Sequence, residues 1–544
     1  MTNSLPNTTE SSNESLIKSQ CALAEKHFKS GQLDQSFSVY QEILRQDPNY
    51  FDAVFGLGRV QHSRKIFVSV GRLYSKAMKL NPGPEDLEKV IVARKQLAKD
   101  VLNEALNLME AGNLNQSINY FSQIIFALPP EYFEKADLEK AKATVDVTLP
   151  DKFVERGNKL FEEGCFSEAA YNFRKALLIN SDHQEGQEKI DLAINKLIGE
   201  SPGQNRPANK AEGKYPRVKL DDLRKINKVG FQKACEIASQ LKGLIDNRKT
   251  LVEAKGLNAQ TALPGGMWKN RFQGKPFDCQ YDIVNHLRLH SSFTGNKLHA
   301  LLDPSNFDIP ESLKQNYLKM IKGLPDEMIA RPPKMMGEIG WEIKGNVVNQ
   351  DVLGYQERLS LLHSSGIIGK LKPREKLNIL EIGSGYGGLA YFIKKIFPQA
   401  SIYLCDLPES LVYPSIYLSL SMPECDHRIL AGDEGESIES DAGFVCLPNY
   451  MFDRLQGMSF DLVINTLSFS GMSVEQVRDY SCGIKKMIGS EGFFFEQNQD
   501  NRPIGNINAQ DIISEIFAGK TFSEKRNQGT ANVWTNLVRE WSQA

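Results

Sequence analysis

The stretch Leu377 to Leu389, LNILEIGSGYGGL, constrains the fold more than any other part of the chain. LNILEIG is a short apolar run suited to a strand buried on both faces. SGYGG is a turn, and LAYFIKKIF then places apolar residues at helical spacing. A second strand, ASIYLCDLPES, follows and ends at Asp406. Strand, glycine turn, helix and strand in that order signal an α/β domain with a mainly parallel sheet. Gly383, Gly385 and Gly388 satisfy the spacing G-x-G-x-x-G, and Asp406 lies 18 residues beyond Gly388. A dinucleotide and S-adenosylmethionine make the same demands here: glycines where backbone approaches the ligand, helix N–H groups facing it, and a carboxylate for the ribose hydroxyls. A turn that only lets a strand pass into a helix is the third reading, and the glycines alone do not separate the three.

Three features tilt the choice. Glu381 precedes Gly383 by two residues, and a carboxylate there suits a cationic ligand such as a sulfonium-bearing methionine but repels a pyrophosphate. The strand FDLVINTLSF, Phe460 to Phe469, is placed to bring its carboxyl end against the glycine turn. The end of the chain (GFFFEQNQ, KTFSEKRNQ, ANVWTNLVRE) reads as a parallel strand followed by a closing antiparallel hairpin. That ordering resembles the class I S-adenosylmethionine-dependent methyltransferases. The resemblance implies a Rossmann-like domain whose cofactor rests on Glu381, Gly383, Ser384, Gly385, Gly387, Asp406 and Leu407. Asn465, at the end of its strand, belongs to the same set. The adenine border falls either at Pro448 and Asn449 or at Asp433 in LAGDE, and the two stay unresolved.

Five ordered motifs narrow the resemblance: PPKMMGEIGW, VNQDVLGYQERLSLLHSSGI, ILEIGSGYGGLAYFIKKIFP, YLCDLPESLVYPSIYLS and DLVINTLSFSGM. Together they resemble a family of sugar O-methyltransferases over about residues 260–540. One departure is Gly471, where an acidic residue is expected before the methionine. The family implies methyl transfer to a sugar hydroxyl, a poor nucleophile at neutral pH that needs a positioned base or a metal. Candidates on the acceptor side are Glu338, Trp341, Asn349, Asp351, Tyr355 and Arg358, and catalytic candidates are Glu357, Asn465 and Ser468. Bland alternatives stand beside them: Trp341 as core filler, Glu357 with Arg358 as a structural ion pair, and His363 as a structural histidine. No metal-ligand spacing stands out.

Upstream, the chain repeats itself. GQLDQSFSVYQEILRQDP from Gly31, GNLNQSINYFSQIIFALP from Gly112 and GCFSEAAYNFRKALLINS from Gly164 share a glycine, a small residue five later (Ser36, Ser117, Ala169) and an aromatic four after that (Tyr40, Phe121, Phe173). A further copy carries Gly58, Tyr74, Ala77 and Pro82, and Pro82 lies 34 residues after Pro48. Small residues let two helices approach, aromatics fill the gap, and Pro48 and Pro129 stop the second helix. These classes at this period resemble the tetratricopeptide repeat, which implies stacked helix pairs with a groove for a protein partner or a substrate carrier. Residues 85–97 and 131–149 read as insertions. The organisation expected from sequence is a disordered 1–16, an all-α tetratricopeptide solenoid over 17–198, a linker over 199–217 (GESPGQNRPANKAEGKYPR), a helical and loop-rich acceptor-side region over 218–370, and a class I methyltransferase domain over 371–544.

A formal net charge of −2 in 544 residues gives no global pull toward nucleic acid, and no apolar run reaches the length of a membrane span. The start of the chain lacks the basic and apolar regions of a secretory signal. Its eight cysteines have no C-x-x-C spacing and read as free thiols in a reducing cytoplasm. The function expected is S-adenosylmethionine-dependent O-methylation of a sugar or glycan. Protein methylation, with the repeats recruiting the acceptor, and a non-catalytic assembly role are the alternatives.

Overall fold

The computed structural model describes residues 8–199, 215–254, 263–264, 277–291, 296–303, 308–431, 436–441, 443–502, 506–517 and 519–536. Most of the 199–217 linker, nearly all of LPGGMWKNRFQGKPFD and Asp433 therefore lie outside the described residues. Two compact units divide the chain: residues 1–152 with 501–506, and residues 153–500 with 507–544.

In the first unit, helices α1 (Thr8–Lys29), α2 (Leu33–Gln46), α3 (Phe51–Ser63), α4 (Phe67–Lys79), α5 (Pro84–Glu110), α6 (Leu114–Ser122) and α7 (Lys135–Ala143) follow one another, with α1 on α2, α3 on α4 and α5 on α6. The repeated residues explain the pairing. Gly31 and Gly112 take the left-handed turn between paired helices at φ 72° and 76°. The small residue five later reaches back to the partner helix: the Ser36 hydroxyl donates to the Ala24 carbonyl at 2.9 Å, and that of Ser117 to Ala105 at 2.8 Å. Tyr40 and Tyr74 pack where any side chain at Gly56 or Gly58 would collide with their rings. Two expectations need correction. Helix α1 begins at Thr8, inside the stretch expected to be disordered. Residues 85–97 are the first half of the 27-residue α5, because Pro84 sits at its start and nothing breaks the chain before Glu110.

The third repeat belongs to the second unit. Its helices are α8 (Leu149–Glu162), α9 (Phe166–Ile179) and α10 (Gln184–Gly199), with Phe173 seated on Gly157. Helix α9 is tied to the region beyond the linker: Asp221 accepts from the amides of Ser167 (2.9 Å) and Glu168 (3.1 Å) at its N-terminus. Arg174 donates through Nε (2.7 Å) and Nη2 (2.8 Å) to the carboxylate of Asp282, which is 0% exposed. A boundary at 198/199 is thus not where the described contacts thin out. Removing one partner of a buried pair leaves the other charge uncompensated. Asp282→Ala should lower unfolding free energy by about 3–5 kcal/mol, read from the urea midpoint at unchanged slope.

After α10 come β1 (Arg217–Val218), α11 (Lys228–Ala254), α12 (Glu311–Ile321), β2 (Gly340–Ile343), β3 (Asn346–Val348) and α13 (Gln350–Ser364). Strands β1, β2 and β3 form a small antiparallel sheet. Cys235 on α11 and Cys279 are joined as a disulfide, Cα atoms 5.6 Å apart, and among the described residues the other six cysteines form no disulfide. The expectation of eight free thiols fails here because the partners are 44 residues apart and meet only through packing.

The large sheet contains β4 (Leu377–Ile382), β5 (Ala400–Asp406), β6 (His427–Ile429), β7 (Phe444–Pro448), β8 (Leu462–Thr466), β9 (Phe493–Asn498), β10 (Gly519–Arg526) and β11 (Gly529–Thr535), in the order β10-β11-β9-β8-β4-β5-β7-β6. All neighbours from β9 to β6 are parallel, and the β10–β11 hairpin closes the edge antiparallel. Helices α14 (Gly388–Ile396), α15 (Pro408–Ser421), α16 (Val474–Met487) and α17 (Ala509–Ile516) complete this part of the chain. Chain order reverses between β4 and β8, where Ile382 is in register with Asn465, so a crevice opens at their carboxyl ends. Alternate residues of β4 face opposite cores: Leu377 and Ile379 meet Leu359 and Leu362 of α13, while Leu380 and Ile382 join Val477 and Ile484 of α16.

Candidate active site

At that crevice lies a cavity of about 270 Å³. Its floor is the glycine turn. Gly383 and Gly385 have φ of 80° and 57°, and a side chain at Gly383 would strike the Ser468 hydroxyl. Glu381, Gly383, Ser384, Gly385, Asp406 and Leu407 line the cavity, and so does Asn449, one of the two candidates left open for the adenine border.

Glu381 is 4% exposed, and its Oε2 has no hydrogen-bond partner. Burial pushes its carboxyl up to about 8, with Arg358 pulling it down and Asp406 adding to the rise. Ser384 Oγ is likewise buried without a partner. Asp406 accepts from the Leu407 amide at 2.7 Å. Burial raises its carboxyl to about 6, against the amides of Leu407, Ser384 and Gly385, which favour the ionised form. A buried carboxyl with an unsatisfied oxygen ionises more readily beside a cation and less readily beside an anion, so this floor favours a cation.

Two residues assigned to the cofactor stand elsewhere. A side chain at Gly387 (φ 89°) would meet Pro414 and Leu418, so this glycine serves the packing of the turn against α15. Asn465 lies beneath the turn: its amide donates to the Ile382 carbonyl at 2.9 Å and its carbonyl accepts from Asn498 at 3.0 Å. It ties β4, β8 and β9 together and does not face the cavity. Ser468 does face it, but its hydroxyl is turned to the Ile382 carbonyl at 3.2 Å. Glu357 is also off the cavity wall, accepting from Gln497 Nε2 (2.8 Å) and the Gln528 amide (3.1 Å). It does not pair with Arg358.

On the acceptor side, Asp351, Tyr355 and Arg358 line the cavity, all three from α13. Glu338, Trp341 and Asn349 are buried away from it. Trp341 packs with Val347 and Leu353, and Asn349 donates to Glu338 at 2.7 Å while capping α13. Glu338 pairs with Arg288, whose other arm donates to Asp351 at 2.9 Å. The same guanidinium lies 4.4 Å from the ring centre of Tyr386, the residue inside the glycine turn. These charges hold the turn in place. His363 is exposed at the far end of α13.

Sequence reasoning missed Ser410, Leu467, Met472, Gln476, Tyr480 and Gln528. Met472 had a signal, the motif that ends in it, and its neighbour Gly471 donates its amide to the Ser468 carbonyl at 3.1 Å. Leu467 adopts φ 62°, and nothing in a leucine announces a left-handed backbone. Gln528 comes from the tip of the β10–β11 hairpin, brought in by the closing of the sheet. Among the described residues no group of three or more His, Cys, Asp or Glu side chains is placed to hold a metal ion, and no helix is long and apolar enough to cross a membrane.

No protein-family model matches the chain. Two curated relatives, the DnaJ protein P58IPK homologs B and A of Oryza sativa subsp. japonica, are 23% identical over 209 residues, 35% of this chain and 43% of theirs. The chain thus spans about two fifths of the length of those relatives. Similar solved structures include PigF with SAH (14% identity, 36% of this chain, 64% of that one, TM-score 0.24) and the pyocyanin biosynthetic protein PhzM (10%, 34%, 58%, TM-score 0.24). MnmC2 from Aquifex aeolicus is a third, at 13% identity over 44% of this chain and 82% of its own, with a TM-score of 0.25. Overlaps this shallow leave the cavity itself as the guide to function.

Proposed function

We propose that the second unit is an S-adenosylmethionine-dependent methyltransferase acting on a sugar hydroxyl. The observation that carries this reading is the buried Glu381 carboxyl, one oxygen unsatisfied, on a glycine-floored cavity shared with Asp406. When bound, S-adenosylmethionine supplies an electrophilic methyl group on a positively charged sulfur. Asp406, at the end of β5, is placed to accept from the two ribose hydroxyls. Glu381 matches the positive charge of the methionine part. Gly383 and Gly385 would let the backbone close against the ligand, and Asn449 with Tyr480 would border the base. Transfer would form an O–CH3 bond as the S–CH3 bond breaks and S-adenosylhomocysteine leaves, and the acceptor hydroxyl's proton would need a base. Asp351 would take that proton: one of its oxygens is held by Arg288, burial raises its carboxyl above the usual range, and it faces the cavity.

The sugar assignment is supported by the five ordered motifs and by the polar wall that Asp351, Tyr355 and Gln528 give one side of the cavity. Read as tetratricopeptide repeats, the helix pairs of the first unit are a docking module. Phe28, Phe55, Arg59, His62, Tyr74 and Val92 line a groove of about 790 Å³ there. That groove favours one second reading, in which the acceptor is itself a protein. Labelled donor offered to glycan and protein fractions decides between them by where the label goes.

Donor binding is tested with Asp406→Ala. Calorimetry with S-adenosylhomocysteine should show affinity falling by about a hundredfold or more, since two charge-assisted hydrogen bonds are lost. The melting temperature should stay near that of the parent. An unchanged affinity would remove the basis for the methyltransferase reading.

A further inference from the structure

Residues 235–279 form a covalent ring. The Cys235–Cys279 disulfide closes it, and both cysteines are half-buried, within reach of a small thiol. Two contacts of this ring lie beside the cavity. Helix α11 packs along α15, and Arg248 near the end of α11 pairs with Glu409. Glu409 is next to Ser410, which lines the cavity. Further along the ring, Gln476 Nε2 of α16 donates to the Leu263 carbonyl at 3.1 Å. Pro264 lines the cavity together with Gln476 and Tyr480. One ring therefore joins α15 to α16, two helices that share the cavity wall. Beyond Cys279 the chain is fixed independently: the Tyr281 hydroxyl donates to the Ile226 carbonyl at 2.7 Å, and Asp282 is held by Arg174. Among the described residues, Leu263 and Pro264 make one hydrogen bond, the one to Gln476.

A piece of wall tied by one hydrogen bond gives up conformational freedom when it closes on a ligand, and that loss weakens binding. Covalent closure removes part of the freedom beforehand. We propose that the Cys235–Cys279 disulfide is a redox switch on donor binding: closed, it holds the Leu263–Pro264 wall ready for the donor, and opened by a dithiol it leaves that wall loose. The proposal rests on the donor reading above. In the opening step a thiolate of the dithiol attacks one sulfur of the Cys235–Cys279 bond, and its second thiol then resolves the mixed disulfide. Two electrons and two protons pass to the protein, which ends with two thiols, and the dithiol ends as its own disulfide.

The test uses the full chain, calorimetry with S-adenosylhomocysteine as the probe, and dithiothreitol as the dithiol. Thiol alkylation read by mass spectrometry reports whether the bond is open in each sample. With the bond closed the parent should bind the probe about tenfold tighter than after reduction, and reoxidation should restore the tighter binding. Cys279→Ser should bind as the reduced parent does and should not respond to dithiothreitol. Equal affinity with the bond closed and open overturns the switch while the donor reading stands, and it decides the matter even if Cys279→Ser does not fold. A Cys279→Ser chain that still weakens on reduction places the effect at another cysteine and overturns the switch too. So does a parent in which both thiols are alkylated before any reductant is added. If the probe binds in neither state, the donor reading falls and the switch falls with it.

Discussion

Replacing Glu381 by Gln is expected to stabilise the unliganded protein and to weaken donor binding about a hundredfold. Both effects have one cause. The folded protein holds the Glu381 carboxyl in a buried site that raises it to about 8, chiefly by desolvation. The unfolded chain loses that proton near pH 4.5. Between these values the folded state binds one proton more than the unfolded one, so stability falls as pH rises. The contribution is complete below pH 4.5 and gone above about pH 8. The full difference across that window is on the order of 4 kcal/mol. Glutamine keeps the shape and has no proton to lose, so the variant should melt higher than its parent at pH 8 and no higher at pH 4.5. Asp406, raised to about 6, leaves a smaller slope of the same sign below pH 6 in the variant.

Donor binding runs the other way. A cation favours the ionised carboxylate, so in the parent affinity should rise about fivefold to tenfold from pH 6.5 to 7.5 as that form becomes available. In Glu381→Gln that dependence should be nearly flat and the affinity low throughout. Melting curves at pH 4.5 and 8, with calorimetry at pH 6.5 and 7.5, measure both arms. A variant that melts no higher at pH 8 would mean the carboxylate is already satisfied in the free protein. The physical point is general: a site kept ready for a cation holds a carboxyl that is costly to ionise until the ligand arrives.

The glycine turn, its carboxylate and the closing hairpin were legible because they are local. Strand, turn and helix follow within a dozen residues, and the period-2 and period-3.6 patterns are written side by side. Glu381 and Asp406 line the cavity because strand ends converge wherever a parallel sheet reverses its order. The same logic failed for α13. Asp351, Tyr355, Glu357 and Arg358 are close in sequence, yet Glu357 turns from the cavity toward Gln497 on β9 and the hairpin tip. Which face of α13 meets the cavity is fixed by elements more than a hundred residues away. Trp341 and Asn349 misled for a different reason: an aromatic and an amide have the same letters in a core or cap as in a sugar site. Leu467 and Gln528 left no local trace at all.

A chain beginning at residue 149 should be soluble and bind the donor within about threefold of the full protein, whereas one beginning at residue 200 should be insoluble or unfolded. By repeat pattern alone the natural cut is after the third copy, and a chain starting at 200 would be the expected stable domain. The packing says otherwise. Tyr171 of α9 is fully buried among Val218, Leu220, Leu289, Leu298 and Leu301. Its hydroxyl lies 2.9 Å from His299 Nδ1. Asp282 and Asp303 are both 0% exposed, and their described partners, Arg174 and Arg156, sit on α9 and α8. Deleting 149–199 would uncover that apolar cluster and take Arg174 and Arg156 away from two buried carboxylates. Each broken pair costs about 3–5 kcal/mol, against a total stability of about 5–15 kcal/mol for a typical domain. The shorter chain has no margin for both. Circular dichroism, gel filtration and donor calorimetry on the two truncations measure the difference. A folded, donor-binding chain that starts at residue 200 would show that α8 and α9 only rest on this unit.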